Sequence, residues 1–146
     1  MVGTVSGTSI GFNGSTVQFN ASTTTYIKAV YDSTNEKVVI TYRDDGNSDY
    51  GTAIVGTVSG DSISFGSEVV FNSANTYGGD PVYDSSNGKV VIAYTDAGNS
   101  SHGTAIVGTV SGTSISFGSE VVFNSASVSY TSIAFDSTNG KVVIAY

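Results

Sequence analysis

The sequence contains no cysteine, no tryptophan, a single proline and a single histidine. Lack of cysteine excludes a disulfide framework, thiol catalysis and thiolate metal centres, so packing alone must hold the chain together. Positive charge is scarce as well. Lys28, Lys37, Arg43, Lys89 and Lys141 are scattered among 12 acidic residues, giving a net charge of -7. Such a chain offers no basic surface for a phosphate backbone or anionic lipid, so neither nucleic acid nor membrane is an expected partner. Apolar runs such as Val90 to Tyr94 fall far below the roughly 20 residues that span a bilayer. The Met-Val-Gly-Thr start has neither the basic head nor the apolar body of a signal peptide. The chain is therefore expected to be soluble.

What is abundant is Gly, Ser, Thr, Val, Ile, Tyr and Phe, with only 12% charged residues. This composition favours strands and turns over helices, and an all-β fold is expected. The residues are also arranged in a repeat. GTAIVGTVSG occupies 51–60 and again 103–112, and VGTVSG begins at Val2. Val55 to Val107, Phe71 to Phe123 and Tyr42 to Tyr94 to Tyr146 are each 52 apart. The interval from Val2 to Val55 is 53, because the first copy carries an extra residue near Asn13-Gly14, where a bulge or enlarged turn is expected. A fixed period near 50 defines a repeat protein, read as one domain over 1–146 with units near 2–54, 55–106 and 107–146.

Each unit divides into four short strands. In the second copy they are Pro81–Tyr83 (A), Lys89–Thr95 (B), Thr104–Val110 (C) and Ser114–Phe123 (D). Asn87-Gly88 can supply the positive φ of a tight A–B turn, and Ser111-Gly112-Thr113 forms a C–D turn. Strand B, Val90-Val91-Ile92-Ala93-Tyr94, lacks polar alternation, as a strand covered on both faces should. Strand D alternates and reads as the outer edge. Four antiparallel strands per 50 residues, with inner strands covered on both faces, match a β-propeller blade. Solenoid rungs are shorter, and sandwiches need about 100 residues per domain.

The segment Phe135-Asp136-Ser137-Thr138-Asn139-Gly140-Lys141-Val142-Val143-Ile144-Ala145-Tyr146 and its counterpart from Tyr83 resemble blades of bacterial and phage-associated β-propeller repeat proteins. The resemblance covers the whole chain and implies a module that, within a larger parent, would lie outside the cell or on a cell or virion surface. The Asp turn is loosely similar to the Asp-box of sialidase propellers, but the Trp of that motif is absent. The arginine cluster of sialidases is likewise reduced here to Arg43.

In chain order the strands read C-D, A-B-C-D, A-B-C-D, A-B, which amounts to three blades with one split between the ends. Closed propellers have about four to eight blades. Two chains make six, so a homodimer is expected in which strands C and D of one copy complete A and B of the other. Aligning Met1 with Ile54 and Ile106 leaves the equivalents of 147–157 unrepresented, which fits a half-ring or a piece of a longer array.

Comparison of the copies locates their divergence. Residues 55–94 and 107–146 agree at 29 of 40 positions, and nine of the 11 differences are consecutive, 75–83 against 127–135. The second divergent segment is the B–C loop, Arg43 to Tyr50 against Thr95 to His102. Both segments are expected on one face, and loops on a rigid scaffold are where binding residues collect. Tyr26, Lys28, Arg43, Tyr50, Tyr77, Asp80, His102 and Tyr130 are the candidate recognition residues.

Other motifs carry less. Asp44, Asp45, Asn47 and Asp49 miss calcium-loop spacing, and Ala97 and Ser101 replace two of them in the next copy, which favours a solvated turn. Asp32, Asp84 and Asp136 are expected to accept hydrogen bonds within the A–B turns. The glycine-rich segments lack a Walker lysine and a following helix. With one histidine and no clustered nucleophile, the chain is expected to be non-enzymatic, without metal or cofactor. Two readings follow: a propeller that binds glycans or other surface polymers through its loop face, or a purely structural repeat.

Overall fold

A computed structural model describes all 146 residues. The chain is all-β and antiparallel, with two single 3-10 turns and no helix long and apolar enough to cross a membrane. A short hairpin, β1 (Thr4–Ser6) and β2 (Ser9–Gly11), comes first. The first complete unit follows: β3 (Thr24–Asp32), β4 (Lys37–Asp44), β5 (Tyr50–Ser59) and β6 (Ser62–Phe65). Next is β7 (Val69–Asp84), then β8 (Lys89–Asp96), β9 (His102–Ser111), β10 (Ser114–Phe117) and β11 (Val121–Ser127). A second hairpin, β12 (Ser132–Asp136) and β13 (Lys141–Ala145), ends the chain. Both complete units run A-B-C-D in space, with D split into two pieces that each pair with strand C.

Strand β7 joins the units. Its first half, from Val69 to Asn75, pairs with β5 as the outer strand of one unit. Its second half, from Thr76 to Asp84, pairs with β8 as the innermost strand of the next. The expected D–A loop is therefore continuous strand in the middle copy, and its change of direction is made by a register shift between Gly78 and Asp80. The matching shift in β3 lies between Thr25 and Lys28. Strand D, read as unbroken over Ser114–Phe123, is interrupted after Phe117, because Gly118 approaches strand C by donating its N–H to the Val107 carbonyl, 3.0 Å. The segment after Gly11 that holds Asn13-Gly14 is irregular up to Thr24 rather than a bulged strand.

The core lies between the units, not within either. Val39, Ala53, Val55 and Phe71 of the first unit meet Val90, Ile92, Tyr94, Val110 and Ile115 of the second in one buried cluster. A four-stranded sheet can cover only its own backbone; its faces must be covered by neighbours. Phe71 supplies the central contact, edge-on to Tyr94 at 5.2 Å and to Phe117 at 5.9 Å. The same arrangement recurs outward, Phe19 on Tyr42 at 5.1 Å and Phe123 on Tyr146 at 5.1 Å. Polar clamps accompany it. Asn20 donates to Asp44 at 3.0 Å, and its repeat equivalent Asn72 donates to Asp96 at 3.1 Å.

The A–B turns are built alike. Asp32 accepts from the Thr34 and Asn35 N–H groups and from the Asn35 side chain; Asp84 and Asp136 do the same with the residues two and three further on. Gly88 and Gly140 take the left-handed φ of 63° and 62° that closes the turn, a position Glu36 occupies at 55° in the first copy. Burial pushes the Asp32 carboxyl upward, but hydrogen bonds from Asn35, Tyr83 and Thr34 outweigh it and hold it below its ordinary 3.8. Asn87 and Asn139 hold Asp84 and Asp136 below the ordinary value in the same way.

These depressed carboxylates make stability acid-sensitive. The folded chain binds their protons more weakly than the unfolded chain, so their contribution is complete above the unfolded value near 3.8 and is lost as pH falls through the folded value. Asp84→Asn should therefore melt lower than the native chain at pH 6. Melting curves from pH 6 to 2 should show that gap closing below about pH 4; a gap independent of pH would contradict the assignment.

Candidate functional site

Three of the eight candidate residues come together. Tyr26 of β3, Tyr77 of β7 and Tyr130, just before β12, line one cleft of about 310 Å³ with Thr95, Ser101, Ser127, Val128 and Ser129. The cleft sits where β3, the second half of β7 and the approach to β12 converge. Tyr26 and Tyr77 meet edge to face with ring centroids 6.0 Å apart. Tyr130 is 83% exposed, so its ring is free to receive a ligand face.

Local backbone sets this geometry. Tyr26 stands at the repeat position of Gly78 and, like it, has positive φ, 53°. The left-handed region disfavours a bulky side chain by about 1–3 kcal/mol, and such strain collects at functional sites. The register shift beside it turns the Tyr26 ring toward the next unit. Strands β3 and β7 also exchange an ion pair, Lys28 to Asp80 at 3.2 Å. At the equivalent junctions, the Thr41 hydroxyl donates to the Gly79 carbonyl at 2.6 Å and the Thr131 hydroxyl to the Ala93 carbonyl at 3.1 Å. Donor and acceptor have changed sides while the bond between units is kept.

Arg43 props the tyrosine pair from behind. Its guanidinium lies 5.3 Å from the Tyr26 ring centre and 5.8 Å from that of Tyr77. Its Nε donates to Asp45 Oδ1 at 2.9 Å, with Asp49 3.7 Å away. The Asp45 hydrogen bond pushes the Arg43 pKa further up, and in return Arg43 holds the Asp45 carboxyl below its ordinary range. The Asp45 and Asp49 carboxylates of the candidate calcium loop are thus turned to an arginine. Asp44 accepts from the Gly46 N–H at 3.0 Å and starts the 3-10 turn.

Tyr50 and His102 do not line the cleft. They begin β5 and β9, half-buried, paired in register with Asp44 and Asp96. His102 nevertheless lies opposite Ser127, which does line it. Sequence reading missed Thr95, Ser101, Ser127, Val128 and Ser129. The last three fall inside the divergent run 127–135 and were legible there; Thr95 ends a strand B that reads as core. Its hydroxyl is buried without a partner in the chain.

None of the eight lining residues is charged, and seven carry a hydroxyl. The arrangement can stack a ring face on tyrosine and exchange hydrogen bonds with hydroxyls. The site and fold define an all-β protein of repeated antiparallel units with a polar, uncharged cleft where units meet. No protein-family model, curated protein or solved structure matches the chain.

Arg43→Ala should lower the melting temperature and loosen the tyrosine pair, read as a change in near-ultraviolet circular dichroism. Arg43→Lys should recover only part of this, because an ammonium keeps the charge but not the planar contact with two rings. Full recovery by lysine would show that charge alone matters.

Proposed function

We propose that the units are blades of a β-propeller and that the chain is a non-enzymatic binding module whose cleft receives a neutral, polyhydroxylated ligand of the glycan type. The blade reading is supported by the path of β7, which leaves one sheet as its outermost strand and enters the next as its innermost. The observation that carries the binding reading is the cleft's lining, seven hydroxyl-bearing residues of eight with three tyrosines among them. Sugar rings present an apolar C–H face and a rim of hydroxyls. Tyrosine meets both requirements, since its ring is apolar and its tip polar. Thr95 lies beneath the cleft with a buried hydroxyl that has no partner in the chain. Lys28 and Arg43, the basic candidates, are engaged by Asp80 and by Asp45 with Asp49, so neither stands free for an anionic substrate.

The test is a panel of neutral and acidic oligosaccharides against the native chain, Tyr77→Ala and Tyr130→Ala. Neutral glycans should bind, and each substitution should weaken binding at least tenfold, the scale expected when an aromatic anchor is lost. Tyr130→Ala should leave the melting temperature nearly unchanged, since its ring is exposed. Absence of binding across the panel would favour the purely structural reading, and binding untouched by both variants would move the site elsewhere.

A further inference from the structure

Equivalent residues are buried where two units meet and exposed at the two ends of the chain. Val39 is fully buried, whereas its equivalent Val143 in β13 is 57% exposed; Val55 is fully buried, whereas Val107 is 45% exposed. Val110 and Ile115 are 6% and 3% exposed, while their equivalents Val5 and Ile10 on the first hairpin are 70% and 57% exposed. The two deficits are complementary. Within residues 1–146 the last hairpin is strands A and B with no C or D paired to it, and the first hairpin is C and D with no A or B paired to it. Strand β13 pairs only with β12, and β1 only with β2.

We infer that β1–β2 of a second copy of this chain docks on β13 in the register β5 adopts on β4, and that the reciprocal contact closes a two-fold dimer. The register follows from the repeat. Strand β4 pairs Val38 with Gly56, Val39 with Val55 and Ile40 with Ile54, and β8 pairs with β9 at the equivalent residues. Transferred to the ends, Val142 faces Gly3, Val143 faces Val2 and Ile144 faces Met1 of the other copy. Strand addition of this kind satisfies the backbone groups of both open edges.

Two unfilled places support this occupant. The first is an apolar cavity of about 450 Å³ on the outer face of the first unit, lined entirely by hydrophobic residues including Val2, Phe19, Val38, Ile40 and Ile63. The equivalents of Val38, Ile40 and Ile63 are Val90, Ile92 and Ile115, which are buried in the same cluster as Val39. Val143 of the second copy occupies the Val39 position and covers that cavity. The second is Gly118. A Cβ on Gly14 would come 1.8 Å from the Asp61 carbonyl oxygen, and one on Gly66 would come 1.8 Å from that of Thr113. Both are glycine because the neighbouring C–D turn touches their backbone. Gly118 has nothing closer than the Val107 carbonyl, 3.8 Å from where its Cβ would be. Its partner by repeat is Thr8 of the second copy, and the same docking brings Phe12 to Phe123 as Phe65 lies to Phe19 and Phe117 to Phe71.

The inference does not depend on what the cleft binds. It is tested by native mass spectrometry and light scattering of the 146-residue chain, where a dimer of the 14.9 kDa chain is expected at micromolar concentration. Gly118→Ala has room within a single chain, so it should keep the circular dichroism of the native fold while raising the dimer dissociation constant at least tenfold. Val143→Asp should do the same by placing a charge at the contact. Because the chain has no cysteine, Val2→Cys combined with Val143→Cys should oxidise to a covalent dimer, since cross-strand Cα separations suit a disulfide. Val5→Cys with Val143→Cys, off register, should not. A monomer, an assembly larger than a dimer, or a dimer indifferent to Gly118→Ala and Val143→Asp would each overturn the inference.

Discussion

The contact of Phe71 with Tyr94 shows what every unit of this protein requires. A four-stranded sheet has two apolar faces, and neither can be covered by its own residues. The phenylalanine at the outer position of each unit therefore reaches across to the tyrosine near the end of strand B of the next unit. It does so three times at nearly the same distance, 5.1, 5.2 and 5.1 Å. Aromatic pairs contribute about 0.5–1.5 kcal/mol beyond the area they bury, but position matters more here than magnitude. Burial of the tyrosine rings pushes the Tyr42 and Tyr94 hydroxyls up, so both stay neutral. Tyr94 donates to Glu120 at 2.8 Å, whereas Glu68, the matching acid in the first unit, accepts from Asn20 and leaves the Tyr42 hydroxyl without a partner.

That requirement separates the parts of the sequence held constant from the parts free to change. Strands B and C and the two pieces of strand D supply both covered faces, and they are nearly identical between copies. The innermost strand pairs with strand B through its backbone, which leaves its side chains less constrained. The junction bond shows this tolerance, since threonine donates from strand B at one junction and from the residue just before strand A at the next. The cleft forms at that permissive place. Tyr26 can occupy a backbone position held by glycine in the next copy because no packed face depends on it there.

Much of this was legible in the sequence, and what escaped did so for physical reasons. The period located the four strands, and the uniform apolar strand B announced two covered faces. The Asp turns form with the partners expected of them. The path of β7 did not show, because Asn75 to Gly79 has the composition of a loop; Gly78 and Gly79 serve a bulge inside a strand instead. The cleft was half visible. Divergence pointed to Tyr26, Tyr77 and Tyr130, yet it pointed equally to Tyr50 and His102, whose pairing at the start of strand C turns them elsewhere. Thr95 left no signal because a buried threonine at a strand end reads as core; only its missing partner sets it apart.

Charge sets the remaining boundary on the proposed recognition. The chain carries a net charge of -7, and the cations nearest the cleft are paired with carboxylates, Arg43 in a largely covered position and Lys28 at the surface. Arg43 is held by Asp45 and Asp49 and lies over the Tyr26 and Tyr77 rings, so its charge is matched within the cleft wall. An anion approaching such a protein meets a repulsive field, and the cations near the cleft are already paired with carboxylates. A neutral molecule meets no such barrier and finds hydroxyls whose hydrogen bonds cost little to exchange for those of water. On the binding reading proposed above, selectivity for neutral ligands would arise from the whole charge distribution, and the cleft would have to supply only shape, ring faces and hydroxyls.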